Sequence, residues 1–135
     1  MSPPPLTFLL VEDDEIDVAT IRRALTQSGV AHRLLVASEG GAALTMLRMS
    51  RARTVVLLDL NLPGLGGLGL LRALRSDRDL CGVPVLVMTT SEDTRDVAAA
   101  YALHAAGFFR KPLEPARCLD AVRAIAAYWT ESLLP

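Results

Sequence analysis

The chain has 135 residues, of which 51% are hydrophobic and 21% are charged, and its formal net charge is −1. This length suits one domain with a sizeable core and is too short for two ordinary domains. Because the net charge is close to zero, no overall field would attract nucleic acid or an anionic membrane, and we expect neither as a partner.

Membrane insertion and secretion are not expected either. No run of about 18 uncharged apolar residues is present, because the longest candidate, 55–71, is interrupted by Asp59, Asn61, Pro63 and four glycines. The N-terminal residues lack the basic and apolar regions of a secretory signal. We therefore expect a cytoplasmic protein, with residues 1–5 forming a disordered tail. Cys81 and Cys118 have no metal or redox spacing and are expected to be reduced.

Five short apolar runs predict β-strands at 6–11, 33–37, 54–59, 84–89 and 107–110. They are almost continuously hydrophobic, as expected for strands covered on both faces of a parallel sheet. Between them a period near 3.6 predicts helices. The first runs from Ile16 to Gln27, with Gly29 placed to end it, and the others cover about 39–49, 66–76, 92–104 and 114–129. This alternation predicts an α/β domain with a doubly wound five-stranded parallel sheet, two helices on one face and three on the other.

Polar side chains follow the ends of four predicted strands, at the edge where doubly wound folds bind ligands. They are Glu12, Asp13 and Asp14 after the first strand, Asp59 at the end of the third, Thr89 and Thr90 at the end of the fourth, and Lys111 after the fifth. Clustered carboxylates persist near neutral pH only if a cation or proton balances them. A hard divalent ion with oxygen ligands fits such a site, and Mg²⁺ suits one with few protein carboxylates.

Asp59 is the predicted nucleophile of this site. A carboxylate held at a rigid strand end, beside a metal ion and an ammonium, can attack phosphorus and form an aspartyl phosphate. The metal ion and Lys111 would offset the charge of the phosphoryl oxygens, and the Thr89 hydroxyl would hydrogen-bond one of them.

Four motifs together resemble the CheY-like receiver domain of two-component response regulators. They are VEDD at 11–14, DLNLPGLGG at 59–67, VMTT at 87–90 and FFRKP at 108–112. Thr89 lies 30 residues after Asp59, and Lys111 lies 22 residues after Thr89, as that family's pattern expects. The resemblance covers roughly residues 6–127 and implies the flavodoxin-like (βα)5 fold with strand order 2-1-3-4-5.

The resemblance implies a Mg²⁺ site around the phosphoacceptor. Asp59 would be the phosphoacceptor and, together with Asp13, a direct ligand of the metal ion. Glu12 would act through water, and Asn61 would offer its backbone carbonyl. The side chain of Asn61, like that of Ser91, stands where the family tunes dephosphorylation.

The resemblance also implies a switch at the ends of the fourth and fifth strands. Thr89 would be the switch hydroxyl, Phe108 the aromatic switch residue and Lys111 the lysine of the family's site. The corresponding lysine–proline bond is commonly cis in the family, so we expect a cis bond between Lys111 and Pro112.

The implied partner is a sensor histidine kinase, with output by protein contact or phosphotransfer rather than by an enzymatic activity. The opening LLVEDDEIDV and the ending of the chain also resemble the small regulators paired with bacterial phytochrome kinases. Segment 128–135 carries large apolar groups and is either a cap on the protein's own core or a symmetric homodimer contact. The likeness to those regulators favours the homodimer.

The carboxylate at position 59 admits two other interpretations. Asp59 could belong to a haloacid-type phosphatase, but that family would have a second Asp at position 61 and a cap domain. A module that never carries phosphate is the other alternative. We expect Asp14 to be a helix N-cap, and Glu15 and Asp17 to be first-turn charges on a solvated face. The basic segment 48–53 is expected to be a solvated helix end.

Overall fold

The computed structural model describes residues 5–90, 93–111 and 114–135, in which strands and helices alternate. The strands are β1 (Leu6–Val11), β2 (His32–Ala37), β3 (Thr54–Leu58), β4 (Val85–Thr89) and β5 (Gly107–Arg110). The helices are α1 (Glu15–Gln27), α2 (Gly40–Met49), α3 (Gly66–Ser76), α4 (Thr94–Ala102) and α5 (Pro115–Thr130). The predicted tail residues 1–4, the side chain of Ser91 and the Lys111–Pro112 bond lie outside the described residues.

The strands form one parallel sheet in the order β2-β1-β3-β4-β5, which confirms the predicted topology. The register of the pairing places the carboxyl ends of β1, β3 and β4 close to one another. Val11 of β1 pairs with Leu58 of β3, and Leu58 pairs with Val87 of β4. The residues that follow β1 and β3 therefore leave the sheet side by side.

Two apolar layers cover the sheet, which explains why the central strands have little polar character. Helices α2, α3 and α4 pack on one face through residues such as Leu47, Leu71 and Ala100. Helices α1 and α5 pack on the other face through residues such as Leu25 and Val122. Full burial of one such leucine contributes about 1.5–3 kcal/mol, so the sheet is a rigid base for whatever projects from its edge.

Helix boundaries follow local chemistry. Asp14 caps α1 as predicted, because its Oδ1 accepts hydrogen bonds from the backbone N–H groups of Ile16 and Asp17. Helix α4 is shorter than the predicted 92–104. It starts after Asp93, whose side chain caps it, and it ends before His104, which has a left-handed φ of 60°.

Arg75, near the end of α3, ties several segments together. Its guanidinium donates to backbone carbonyl oxygens of four residues, namely Val83 at 2.7 Å, Leu103 at 2.8 Å, and Cys81 and His104 at 3.0 Å. A planar fork with five N–H donors suits such a cluster of carbonyls. The contact joins the end of α3 to the segments before β4 and after α4.

The end of the chain folds back on the domain. Helix α5 ends at Thr130, close to the predicted end at about 129 and past residue 127, where the family resemblance ends; Trp129 within it is only 9% exposed. Leu134 packs against the α1–α5 layer, and the carbonyl oxygen of Pro135 accepts a hydrogen bond of 3.0 Å from the backbone N–H of Arg53. Within the described ranges, no helix combines the length and apolarity needed to cross a bilayer.

Candidate functional site

Backbone hydrogen bonds extend the sheet by one residue at its carboxyl edge and so fix the positions of three polar residues. The N–H of Glu12 donates to the carbonyl of Ala37 at 2.9 Å, and that of Asp59 donates to the carbonyl of Val11 at 3.1 Å. The N–H of Lys111 donates to the carbonyl of Thr89 at 2.8 Å. These residues are therefore held by the same ladder as the strands that precede them.

Three carboxylates meet at this edge. Oxygen atoms of Glu12, Asp13 and Asp59 all lie within 4.8 Å of one another. Glu12 and Asp59 are buried, at 2% and 5% exposed, whereas Asp13 is open to solvent. The three residues predicted from the sequence to surround a metal ion are thus brought together, with one side of the group accessible.

The Lys111 ammonium lies beside this group. Its Nζ is 2.8 Å from Oε2 of Glu12 and 3.3 Å from Oδ2 of Asp59. The Lys111 side chain is 8% exposed. Residues at positions 12, 59 and 111 meet because three strand ends converge, as the sequence predicted.

Asp17 lies in the first turn of α1, as predicted, but it is also a further member of this group. Its Oδ2 lies 2.6 Å from Nζ of Lys111, so it is not simply a solvated charge in the first turn of α1. The sequence already indicated that Asp17 lies on the buried face of the helix, because it lies four and seven residues before the buried Ile21 and Ala24. Residues with that spacing share one face of a helix. Asp17 therefore points toward the sheet, near the edge where Lys111 emerges.

Burial, hydrogen bonds and neighbouring charges shift the pKa values of Glu12 and Asp59 in opposite directions. Burial raises the pKa of Glu12 to about 7, although the hydrogen bond from Lys111 opposes this shift. Burial alone would also raise the pKa of Asp59. The backbone N–H of Asn61, the Lys111 charge and a hydrogen bond with Thr89 are among the influences that instead hold the Asp59 pKa below its usual value.

Lys111 stays charged in this setting. Burial alone would lower the pKa of its ammonium, but the hydrogen bonds to Asp17 and Glu12 raise that pKa above its usual value. Asp59 is therefore an ionised carboxylate next to a permanent cation. Glu12, by contrast, has a raised pKa, because burial disfavours its charged form.

The loop after β3 is bound to Asp59 and to β4. The backbone N–H of Asn61 donates to Oδ1 of Asp59 at 3.1 Å, and its side-chain Nδ2 donates to Oγ1 of Thr89 at 3.2 Å. The N–H of Gly67 donates to the carbonyl of Leu60 at 3.2 Å, which closes the loop against the start of α3.

The two predicted switch residues occupy neighbouring strands. Thr89 is fully buried at the end of β4, whereas Thr90 is exposed, so Thr89 is the threonine that faces the site. Phe108 in β5 is half-buried and packs against the α2–α4 layer. Register pairs Phe108 with Val87, two residues before Thr89.

Two other sequence predictions concern the basic end of α2 and the two cysteines. Arg48, in the last turn of α2, is 59% exposed and lies 3.6 Å from Asp77, which agrees with a solvated helix end. Cys81 is exposed and Cys118 is buried, and both are free thiols.

Comparison with known proteins gives a consistent family. The family model described as the response regulator receiver domain matches residues 8–123. The response regulator Rcp1 of Synechocystis sp. (strain ATCC 27184 / PCC 6803 / Kazusa) is 33% identical over 138 residues, covering 98% of this chain and 94% of Rcp1.

Solved structures of two such regulators superpose over nearly the whole chain. One is the crystal structure of the phosphorylated cyanobacterial phytochrome response regulator RcpA, with a TM-score of 0.88, 30% identity and coverage of 98% and 99% of the two chains. Another is the Mn²⁺-bound form of Rcp1, with a TM-score of 0.84, 33% identity and coverage of 97% and 99%. The resemblance seen in the motifs is confirmed: this chain belongs to the response regulator receiver domain family.

Proposed function

We propose that the chain accepts a phosphoryl group on Asp59 from a partner histidine kinase in a Mg²⁺-dependent reaction. The observation that carries this proposal is the setting of the Asp59 carboxylate. This carboxylate is ionised, and its Oδ2 lies 3.3 Å from Nζ of Lys111. One of its oxygens also lies within 4.8 Å of carboxylate oxygens of Glu12 and Asp13. In this arrangement a carboxylate is held as a nucleophile beside the charges that a phosphoryl group needs.

The donor set fits a hard divalent ion. Three carboxylates lie together with one ammonium, and because burial raises the pKa of Glu12, a further cation would favour its ionised form. Glu12, Asp13 and Asp59, with the backbone carbonyl of Asn61, would hold Mg²⁺ through oxygen atoms. When bound, the ion would neutralise charge on the phosphoryl oxygens.

The residues of the chain have distinct parts in the transfer. An oxygen of Asp59 forms the new bond to phosphorus while the bond from phosphorus to the donor atom breaks, and the electron pair of that bond leaves with the donor. Lys111 donates to a phosphoryl oxygen, and so does the Thr89 hydroxyl, which would leave its present contact with Asn61. The burial of Asp59 and Thr89 keeps bulk water away from these contacts.

Mass spectrometry tests the proposal directly. Incubation with acetyl phosphate and Mg²⁺ should add the mass of one phosphoryl group, and the adduct should be absent in Asp59→Ala and after chelation of the metal ion. Asp14→Ala is a control, because that carboxylate caps α1 and lies outside the three-carboxylate group. An adduct that persists in Asp59→Ala would contradict the assignment, and no adduct in the wild type would favour an interaction module. Rapid multiple-turnover release of phosphate would favour a phosphatase.

We further propose that phosphorylation changes the face formed by α4, β5 and α5. Movement of Thr89 toward the phosphoryl group would open space into which the half-buried Phe108 can rotate. NMR shifts in the presence of beryllofluoride and Mg²⁺ should change on this face, and an unchanged face would refute the switch.

A phytochrome-class kinase is the proposed phosphoryl donor. The support is that Rcp1 and RcpA match nearly full length, and that RcpA is described as a phytochrome response regulator. Phosphotransfer from a panel of histidine kinases should be fastest with a phytochrome kinase. An equal rate with unrelated kinases would refute this pairing.

A homodimer through segment 128–135 is also proposed. Tyr128 is 66% exposed and Leu133 is fully exposed, although Trp129 and Leu134 pack within their own subunit. Replacing both exposed residues by serine should give a monomer in light scattering, and a dimer that survives would show that the contact lies elsewhere. Deletion of the whole segment is less suitable, because it would also remove Trp129 from the core.

A further inference from the structure

The Lys111 ammonium has one more carboxylate partner than the proposed phosphotransfer uses. Its Nζ lies 2.8 Å from Glu12, 3.3 Å from Asp59 and 2.6 Å from Asp17. An ammonium has three donors and no acceptor, so these three carboxylates occupy all of its donors. The shortest contact joins it to α1 rather than to the phosphoacceptor.

Asp17 is the partner that can release the ammonium at the lower cost. Its side chain is 35% exposed, whereas that of Glu12 is 1% exposed. Water can solvate the Asp17 carboxylate after the contact breaks, but a buried Glu12 would be left unpaired. Lys111 therefore reaches a new anion most easily by leaving Asp17.

We propose that Asp17 is a positioning residue that holds Lys111 toward α1 in the unphosphorylated protein and competes with the phosphoryl group for its ammonium. The inference rests on the proposed function, because it concerns the same site. A phosphoryl group on Asp59 adds negative charge and strong acceptors toward which Lys111 must turn. Asp17 also brings a fourth carboxylate to the site, and its charge opposes that of the phosphoryl group. Both effects disfavour the phosphorylated state.

The test is the affinity for beryllofluoride, a mimic of the phosphoryl group, measured by calorimetry at saturating Mg²⁺. Asp17→Asn keeps the size of the side chain and removes its charge. We expect about fivefold tighter binding than in the wild type, the scale of one partly exposed charge contact. A residue with a merely structural role would give weaker binding when replaced, so the gain in affinity distinguishes the two roles.

Two variants control for charge and for conformation. Glu15→Gln removes a carboxylate from the same turn of α1, but Glu15 is exposed and does not contact Lys111. Its affinity should stay within about twofold of the wild type, because screened surface charges have small effects. Asp17→Glu restores the charge and should bind no more tightly than the wild type.

The outcomes separate this inference from the proposed function. Unchanged or weaker binding by Asp17→Asn overturns the inference alone, provided that the wild type binds the mimic. An equal gain in beryllofluoride affinity in Glu15→Gln also overturns the inference, since the gain would then come from the loss of any negative charge near the site. A wild type that neither binds beryllofluoride nor accepts a phosphoryl group overturns both the inference and the proposed function.

Discussion

Gly67, the second residue of α3, leaves room for the backbone of the loop that carries Asp59. A Cβ at this position would lie 2.4 Å from Cα of Leu60 and 2.6 Å from the backbone oxygen of Asp59. Non-bonded carbon atoms rest at about 3.5–4.0 Å, so the loop or the helix would have to move by roughly 1 Å. Both obstructing atoms belong to the backbone, and no change of rotamer can relieve the contact.

Gly67→Ala should therefore destabilise the fold by about 3 kcal/mol, at the upper end of the usual cost of overpacking. For a domain of this size we expect the melting temperature to fall by roughly 10 °C. Because the displaced loop carries Asp59, phosphorylation by acetyl phosphate should also slow by a factor on the order of ten or more.

Thermal melting and urea denaturation measure the first effect, and the rate of adduct formation in mass spectrometry measures the second. Gly41→Ala is the matched control, because a Cβ there would meet only the Oε1 of Glu39, at 3.4 Å. Alanine is the better helix former by about 1 kcal/mol, so this control should be as stable as the wild type or more so. A Gly67→Ala protein that melts with the wild type would refute the close approach of α3 to the Asp59 loop.

Stability, pH dependence and thiol chemistry give three further tests of the structure. Arg75→Met should lower the free energy of unfolding by about 3 kcal/mol, because four backbone carbonyls lose a charged donor. Arg72 is exposed, so Arg72→Met should change the free energy of unfolding little. Equal losses in the two variants would contradict the role of Arg75. The folded-state pKa of Glu12, about 7, lies above its ordinary value of 4.5, so its stabilising proton is present at low pH and is lost as the pH rises through 7. The Mg²⁺ ion proposed for this site would replace that proton. Adding Mg²⁺ should therefore raise the melting temperature more at pH 8 than at pH 5.5, and equal increments would refute this account. In the native protein a thiol reagent should modify the exposed Cys81 rapidly, whereas Cys118 should react only after unfolding. Burial raises the pKa of the Cys118 thiol and blocks access of the reagent. Equal rates of modification would contradict the packing of α5.

The sequence was sufficient for the parts of this protein that depend on local pattern. Continuous apolar runs predicted the buried parallel strands, and the 3.6-residue period predicted the helices between them. Parallel strands end at a common edge, so the convergence of Asp59 with Glu12 and Lys111 followed from element order alone. The motif spacings then led to the family that the comparisons confirm.

Element ends were harder to predict, because caps decide them. The fourth helix was predicted two residues too long at its end, since its alanines continue the helical pattern while His104 adopts a left-handed φ. The end of the last helix was predicted to within one residue, at about 129 against the observed Thr130, but the local pattern did not show that Trp129 packs in the α1–α5 layer.

Only the tertiary structure decided which partners the long polar side chains take. Asp17 had the appearance of a first-turn surface charge, and it meets Lys111 because α1 lies against the end of a strand 94 residues further along the chain. Arg75 could equally have been a solvated end of α3, but the segments before β4 and after α4 each place two backbone carbonyls beside it. Whether an apolar residue is buried depends on the face of the helix or strand on which it lies, and the periodicity of the sequence reveals that face. A polar contact depends instead on the distance between two atoms on different elements, which is set only when those elements pack.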